Sequence, residues 1–106
     1  MGQVVIVALR PKEGAEGRLL NLIHEHVPIL RGEGLATGRE PLVLKAADGT
    51  FLEIFEWVSA QAIKAAHDNP IVQALWPRFA EVCDYVKLAD LNETHELFAT
   101  FEPVDL

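Results

Sequence analysis

The chain has 106 residues, half of them hydrophobic, and 16 acidic against nine basic side chains leave a net charge of −7 at pH 7. That length is one domain's worth, residues 1–106, and the high apolar content excludes intrinsic disorder. Scattered basic residues argue against a nucleic-acid partner, no apolar run nears the roughly 20 residues that span a bilayer, and Met1–Leu9 is too short and uncharged for a signal peptide.

Gln3 to Arg10 (QVVIVALR) is nearly continuous β-branched and aliphatic sequence closed by Pro11, which predicts a strand. Val4, Ile6 and Ala8 share one of its faces, and Val5, Val7 and Leu9 the other. After a turn at Pro11–Gly14, the apolar positions Leu19, Leu20, Ile23, Val27 and Leu30 recur at helical spacing over Ala15–Leu30. Pro28 lacks the N–H that would pair with the His24 carbonyl, so this helix is expected to end or bend around residues 26–30. Gly32 and Gly34 loosen the chain beyond it. A second extended piece covers Thr37–Ala46, with Pro41 marking it as an edge strand or one carrying a bulge. Asp48-Gly49 within Ala47–Thr50 is a hairpin signal, and Phe51–Val58 (FLEIFEWV) is the third strand. Phe51, Glu53, Phe55 and Trp57 point one way along it, and Leu52, Ile54, Glu56 and Val58 the other.

Ser59 is placed to cap a helix from Ala60 to about Asp68, and Asn69-Pro70 restarts it, because Asn caps and Pro sits where no intrahelical N–H is required. The continuation, Ile71–Val86, carries Val72, Leu75, Phe79, Val82, Cys83 and Val86 on one stripe, with a kink expected at Pro77. Leu88–Thr94 is turn-like, and His95–Pro103 reads as a last strand. The order β-α-β-β-α-β is the ferredoxin-like plan of the α+β class, with two helices on one face of a four-stranded antiparallel sheet. Strands 1, 3 and 4 are apolar on both sides, so the face away from the helices also needs cover. A homodimer with sheets packed face to face supplies it; loops or the second helix wrapping round the sheet are the alternative.

With this order of elements the sequence resembles the dimeric α/β-barrel proteins, in particular the antibiotic-biosynthesis-monooxygenase-like group. The resemblance covers most of the chain and is carried above all by Phe51–Val82 (FLEIFEWVSAQAIKAAHDNPIVQALWPRFAEV). There a strand ends in an aromatic residue, Trp57, followed by a capping Ser59, an Ala-rich turn, His67, and the Asn69-Pro70 step into the long helix. The resemblance implies a homodimer with a cavity in each protomer between helices and sheet. In some members a polycyclic phenol binds there, is deprotonated and reacts directly with oxygen without a cofactor. Haem-degrading members resemble the fold too, but this chain has no Asn on strand 1. It has His67 where their Trp stands, and Pro77 near the position of their ligating His.

Among candidate chemical residues, His67 stands at the break between two helical pieces and is either a base for a phenolic or enolic proton or a cap on its helix. His24 and His26 straddle Glu25 and diverge on a helix, which rules out a close metal pair; His24, next to Ile23, is the one expected toward the cavity. Glu53 shares a face with Phe51, Phe55 and Trp57 and must be buried with a partner, for which Arg39 or Arg10 is the expectation, or line the pocket. Glu53 and Glu56 lie on opposite faces and cannot act as a glycosidase-type pair. Trp57, Trp76, Phe79 and Phe55 suit either an aromatic ligand or ordinary packing, and Tyr85 is a weaker candidate to orient a ligand. Cys83 lies on the apolar stripe and reads as core filler. As the lone cysteine it excludes an internal disulfide, consistent with a cytoplasmic protein. No zinc-type spacing and no phosphate-binding glycine loop is present, so no cofactor is expected. The expected function is a cofactor-independent, monooxygenase-like enzyme acting on an aromatic or enolisable small molecule with His67 as base. An isomerase or cyclase in the same pocket, or a non-catalytic dimeric protein that binds a small molecule, are the alternatives.

Overall fold

In the computed structural model, which describes residues 1–106, β1 (Gln3–Pro11) leads into α1 (Glu16–Gly32), then β2 (Leu42–Lys45) and β3 (Phe51–Trp57). Three short helices come next, α2 (Ala60–His67), α3 (Pro70–Gln73) and α4 (Leu75–Val82), and then β4 (Cys83–Val86). The chain closes with two 3-10 turns (Leu88–Asp90 and Asn92–His95) and β5 (Glu102–Pro103). The sheet has five strands in the order β4-β1-β3-β2-β5, every neighbouring pair antiparallel. The class is α+β and ferredoxin-like in general terms, with one strand more than the expected four. No helix is long and apolar enough to cross a membrane.

Local signals act where the spacing predicts. The Ser59 hydroxyl accepts from the Ala62 N–H at 3.1 Å, and the Asn69 side-chain oxygen accepts from Ile71 and Val72 N–H at 2.8 and 3.2 Å. Gly49, at φ 94°, turns the β2–β3 hairpin, where Asp48 accepts from the Thr50 N–H at 2.8 Å. Gly34 does not merely loosen the chain. At φ 72° it closes α1 in a Schellman motif, with Leu35 N–H donating to the Leu30 carbonyl and Gly34 N–H to that of Arg31.

The prolines behave differently from expectation. α1 runs unbroken through Pro28 to Gly32, because Pro28 and His24 lie on the exposed side, where water reaches the carbonyl that the proline leaves unpaired. Pro77 does not kink a long helix either. The break falls earlier, at Ala74, and places Pro77 in the first turn of α4, where a missing N–H is tolerated.

Two larger corrections concern the chain after Pro70. The helix expected over 71–86 stops at Val82, and Cys83–Val86 forms β4 against the second half of β1, in register Ala8↔Val86 to Pro11↔Cys83. The strand expected over 95–103 shrinks to Glu102–Pro103, which pairs with Leu44 and Lys45 at the sheet edge. The second extended piece shortens likewise: only Leu42–Lys45 pairs as a strand, after Pro41, with an isolated bridge from Ala36 to Trp57.

Strand parity divides the core. Val5, Val7 and Leu9 of β1, Val43 of β2 and Phe51, Glu53 and Phe55 of β3 face the helices, meeting Leu19, Leu22, Ile23 and Val27 of α1 and Val72, Leu75 and Phe79 of α3–α4. On the other face, residues 88–101 fold back over one end of the sheet. Leu91 is fully buried there against Ala8, Ala46 and Leu52, which stabilises the lid by about 2 kcal/mol. Glu93 pins the segment by accepting from the Ala47 N–H at 2.8 Å. The other end of that face, with Val4, Ile6 and Leu42, stays exposed, as do Leu97 and Phe98 on the returning segment.

Candidate functional site

Between the helices and the sheet lies a cavity of about 160 Å³, with 11 of its 14 lining residues hydrophobic. The centre of its wall is Glu53. In the middle strand of the sheet, Glu53 stands opposite Val7 on one side and Val43 on the other, and its side chain is only 2% exposed. A carboxylate so placed needs a partner or it does not stay charged. The partner is His26 of α1, 27 residues away in sequence, whose Nδ1 lies 2.9 and 3.0 Å from the two carboxylate oxygens. With the carboxylate ionised, Nδ1 carries the hydrogen and donates. The imidazole is held on both sides as well, edge-on to Phe55 at 5.4 Å and to Phe79 at 5.1 Å between ring centres.

One nitrogen of the ring is thus fixed, and the other is left over. His26 Nε2 makes no hydrogen bond within the protein. Thr50 Oγ1 is the sole buried side-chain polar atom without a partner, so Nε2 is not sealed in the core but borders accessible space. A ring nitrogen aimed into a cavity by a buried carboxylate on the other nitrogen is the arrangement of a general base.

The structure brings together some of the residues singled out from sequence and separates others. Glu53, Trp57, Trp76, Phe79 and His67 all line the cavity. His67, the last residue of α2, is exposed; its ring lies 5.6 Å from that of Trp76, and its carbonyl accepts from the Gln73 side chain at 2.7 Å. It stands at the mouth, away from the Glu53 carboxylate. His24 is turned out of the cavity and exposed, which corrects the choice between the two histidines. Arg39 is outside too: it donates to Glu56 at 3.1 Å, and Arg10 pairs with Asp48 at 3.3 Å. Neither reaches Glu53, because Glu56 and Arg10 share the parity of Ile54 and Ala8 and belong to the opposite face.

His26 was findable in the sequence. It lies seven residues after Leu19, four after Leu22 and three after Ile23, all buried on α1, so helical spacing sets it on their stripe. His24 is adjacent to Ile23 in sequence, but neighbours in sequence diverge by about 100° around a helix.

Tyr85 also lines the cavity. Tyr85 is 59% exposed overall, but desolvation on its cavity side, and then the negative charges of Cys83 and Glu53, push its phenol up to about 12, so its hydroxyl stays protonated and remains available as a donor. Cys83 is raised to about 11, chiefly by burial and then by Asp84, and its thiol donates to the Phe79 carbonyl at 3.3 Å. It is an inert core group, as its place on the apolar stripe predicts. No group of three or more His, Cys, Asp or Glu side chains is gathered so as to hold a metal ion. Comparison of the chain with family models, with curated proteins and with solved structures finds no match.

Proposed function

We propose that this protein is a small cofactor-independent enzyme, monooxygenase-like in kind, that removes a proton from an aromatic or enolisable molecule, with His26 rather than His67 as the base. The observation that carries this reading is the His26–Glu53 pair, buried in an otherwise apolar wall with one ring nitrogen unpartnered. In the step proposed, the O–H or C–H bond of the ligand breaks, the proton passes to His26 Nε2, and the electron pair stays on the ligand. Glu53 holds the ring and offsets the charge it acquires. Attack of the resulting anion through a ring carbon on dioxygen gives a hydroperoxide, which loses water to leave a quinone. One oxygen atom ends in each product, and the ligand itself is the reductant. Return of the proton elsewhere gives an isomerase, and attack on an internal carbonyl a cyclase.

A homodimer belongs to the same proposal. Its support is the open end of the sheet face, where Val4, Ile6 and Leu42 are exposed, together with Leu97 and Phe98 of the returning segment, 92% and 83% exposed. That patch favours association also under the second reading, a non-catalytic dimer that binds a small molecule.

The test is a screen of phenols and enolisable ketones for oxygen uptake and, in D2O, for deuterium entering the acidic carbon. His26→Gln keeps an N–H donor for Glu53 and so keeps the fold, but removes the basic nitrogen. It is expected to lower turnover at least about 100-fold, whereas His67→Ala retains activity within a few-fold. Equal turnover by wild type and His26→Gln refutes the assignment of the base, and a screen without turnover favours the binding-protein reading.

A further inference from the structure

The size and charge of the cavity narrow what it takes. A cavity of about 150 Å³ lined by aliphatic and aromatic side chains accommodates one benzene ring, and the cavity here is of that size at about 160 Å³. No lysine or arginine lines it. Four cations are committed outside it, Arg10 to Asp48, Arg39 to Glu56, Lys45 to Glu16 and Arg78 to Glu25, and Lys64 on α2 is exposed and not among the lining residues. The one buried charge is the Glu53 carboxylate, and both its oxygens already face His26 Nδ1. An anionic group brought inside meets that carboxylate with no cation lining the cavity to offset it, and an ammonium group gives up its water for a single neutral acceptor, His26 Nε2, a poor exchange for a full charge. An uncharged hydroxyl meets the same Nε2 without that cost.

We propose that the ligand of this cavity is a single-ring, uncharged molecule with one ionisable hydroxyl, a simple phenol or the corresponding enol, and neither a polycyclic phenol nor a carboxylate. The inference rests on the reading of His26 as the base that this hydroxyl meets, and it is smaller in scope than the polycyclic ligands implied by the sequence resemblance. The walls that set the size are rigid. Phe55 and Phe79 are buried and grip the His26 ring, and Trp57 leans on Phe55 at 5.2 Å. A second fused ring must therefore extend toward the exposed lining residues His67, Trp76 and Tyr85, where it gains little burial.

The experiment is a binding titration of the intact wild-type protein, monitored by NMR at the two indole N–H signals. Trp57 and Trp76 are the only tryptophans and both border the cavity. The probes are p-cresol, toluene, p-hydroxybenzoate, tyramine and β-naphthol. The expected order has p-cresol tightest, with each of the others weaker by about tenfold or more, a factor that corresponds to about 1.4 kcal/mol. β-Naphthol binding as tightly as p-cresol overturns the size argument. Equal binding of p-hydroxybenzoate or tyramine overturns the charge argument, and equal binding of toluene removes the hydroxyl contact to His26. Failure of all five to bind also overturns the proposal. The outcome stays separable from that of the base assignment. Selective binding of p-cresol, with His26→Gln as active as wild type, upholds the ligand class and removes His26 as base, while turnover of a polycyclic phenol that fails with His26→Gln does the reverse.

Discussion

Replacing His26 by leucine, with and without leucine at position 53, isolates what the buried pair does to stability. In the single variant the Glu53 carboxylate keeps its place between Val7 and Val43, 2% exposed, without the N–H that meets it, and neither Arg10 nor Arg39 can replace it because both serve the opposite face. Stranding one member of a buried ion pair costs about 3–5 kcal/mol. For a domain of about 100 residues each kcal/mol lowers the melting temperature by about 4 °C, so His26→Leu is expected to melt about 12–20 °C below wild type. In the double variant, His26→Leu with Glu53→Leu, no charge remains to be stranded. Leucine on β3 joins an existing apolar layer of Val7, Leu9, Val43 and Phe55, and such replacements are neutral or stabilising. The double variant is therefore expected to melt near or above wild type, and the coupling between the two sites has the sign opposite to additive damage. The assay is thermal and urea unfolding by circular dichroism on the four proteins of the cycle. Two results refute the reasoning: His26→Leu as stable as wild type, which means Glu53 does not depend on His26, or a double variant as damaged as the single one, which means that the loss is packing and not charge.

Tyr85 is the chain's only tyrosine, so a spectrophotometric titration reads it alone; ionisation is expected near 12, and a midpoint at the ordinary value of about 10 shows that water reaches the phenol through its exposed side. Because the folded phenol is raised above the unfolded one, its contribution to stability is intact below pH 10 and lost as the pH climbs from there toward 12, which unfolding free energies across that window check. Cys83 is expected to resist thiol reagents at neutral pH and to react on unfolding; labelling of the native protein at the rate of a free thiol refutes its assignment as core. Ile6→Lys places a charge on the open sheet face, where the side chain is already 45% exposed, so the fold is expected to survive while sedimentation shifts from a two-copy to a one-copy particle. A wild type that sediments as one copy, or a variant that still pairs, removes that face as the interface.

The elements that were legible in the sequence are those fixed by neighbours along the chain. Ser59 and Asn69 find their N–H partners two or three residues away, Gly49 turns a hairpin whose strands adjoin it, and the apolar run 3–10 has no better use than a strand. Cys83–Val86 fails that condition. Val82, Cys83 and Val86 continue the helical stripe, while Cys-Asp-Tyr-Val also alternates as a strand, so the local pattern is satisfied twice. Pairing with Ala8–Pro11, more than 70 residues back, decides between them. The C-terminal segment misleads for a related reason. Leu97, Ala99 and Phe101 alternate with polar and apolar neighbours as a strand does, but only Leu44 and Lys45 pair with it at the β2 edge, and residues 88–101 cover a sheet face instead. At the site, burial of Glu53 was readable from its strand companions. The place of His26 on the buried stripe of α1 was readable too, but the pairing of the two was not, because the approach of α1 to β3 sets that contact and no spacing in the sequence encodes it.

A valine at position 53 would extend the layer of Val7 and Val43 without placing a charge there, so the carboxylate needs a reason other than packing. A purely structural role would use the pair to tie α1 to the sheet, and such a role is served best when every polar atom of both side chains is satisfied, since an unmet nitrogen beside apolar walls adds cost without adding a link. The observed geometry does the opposite. One N–H of His26 is shared between the two oxygens of Glu53, two phenylalanine edges fix the ring plane, and the remaining nitrogen borders a cavity lined mostly by hydrophobic side chains. The stability forgone at Glu53 thus orients one lone pair and leaves it unpaired, an arrangement that gains only when a proton donor enters the cavity.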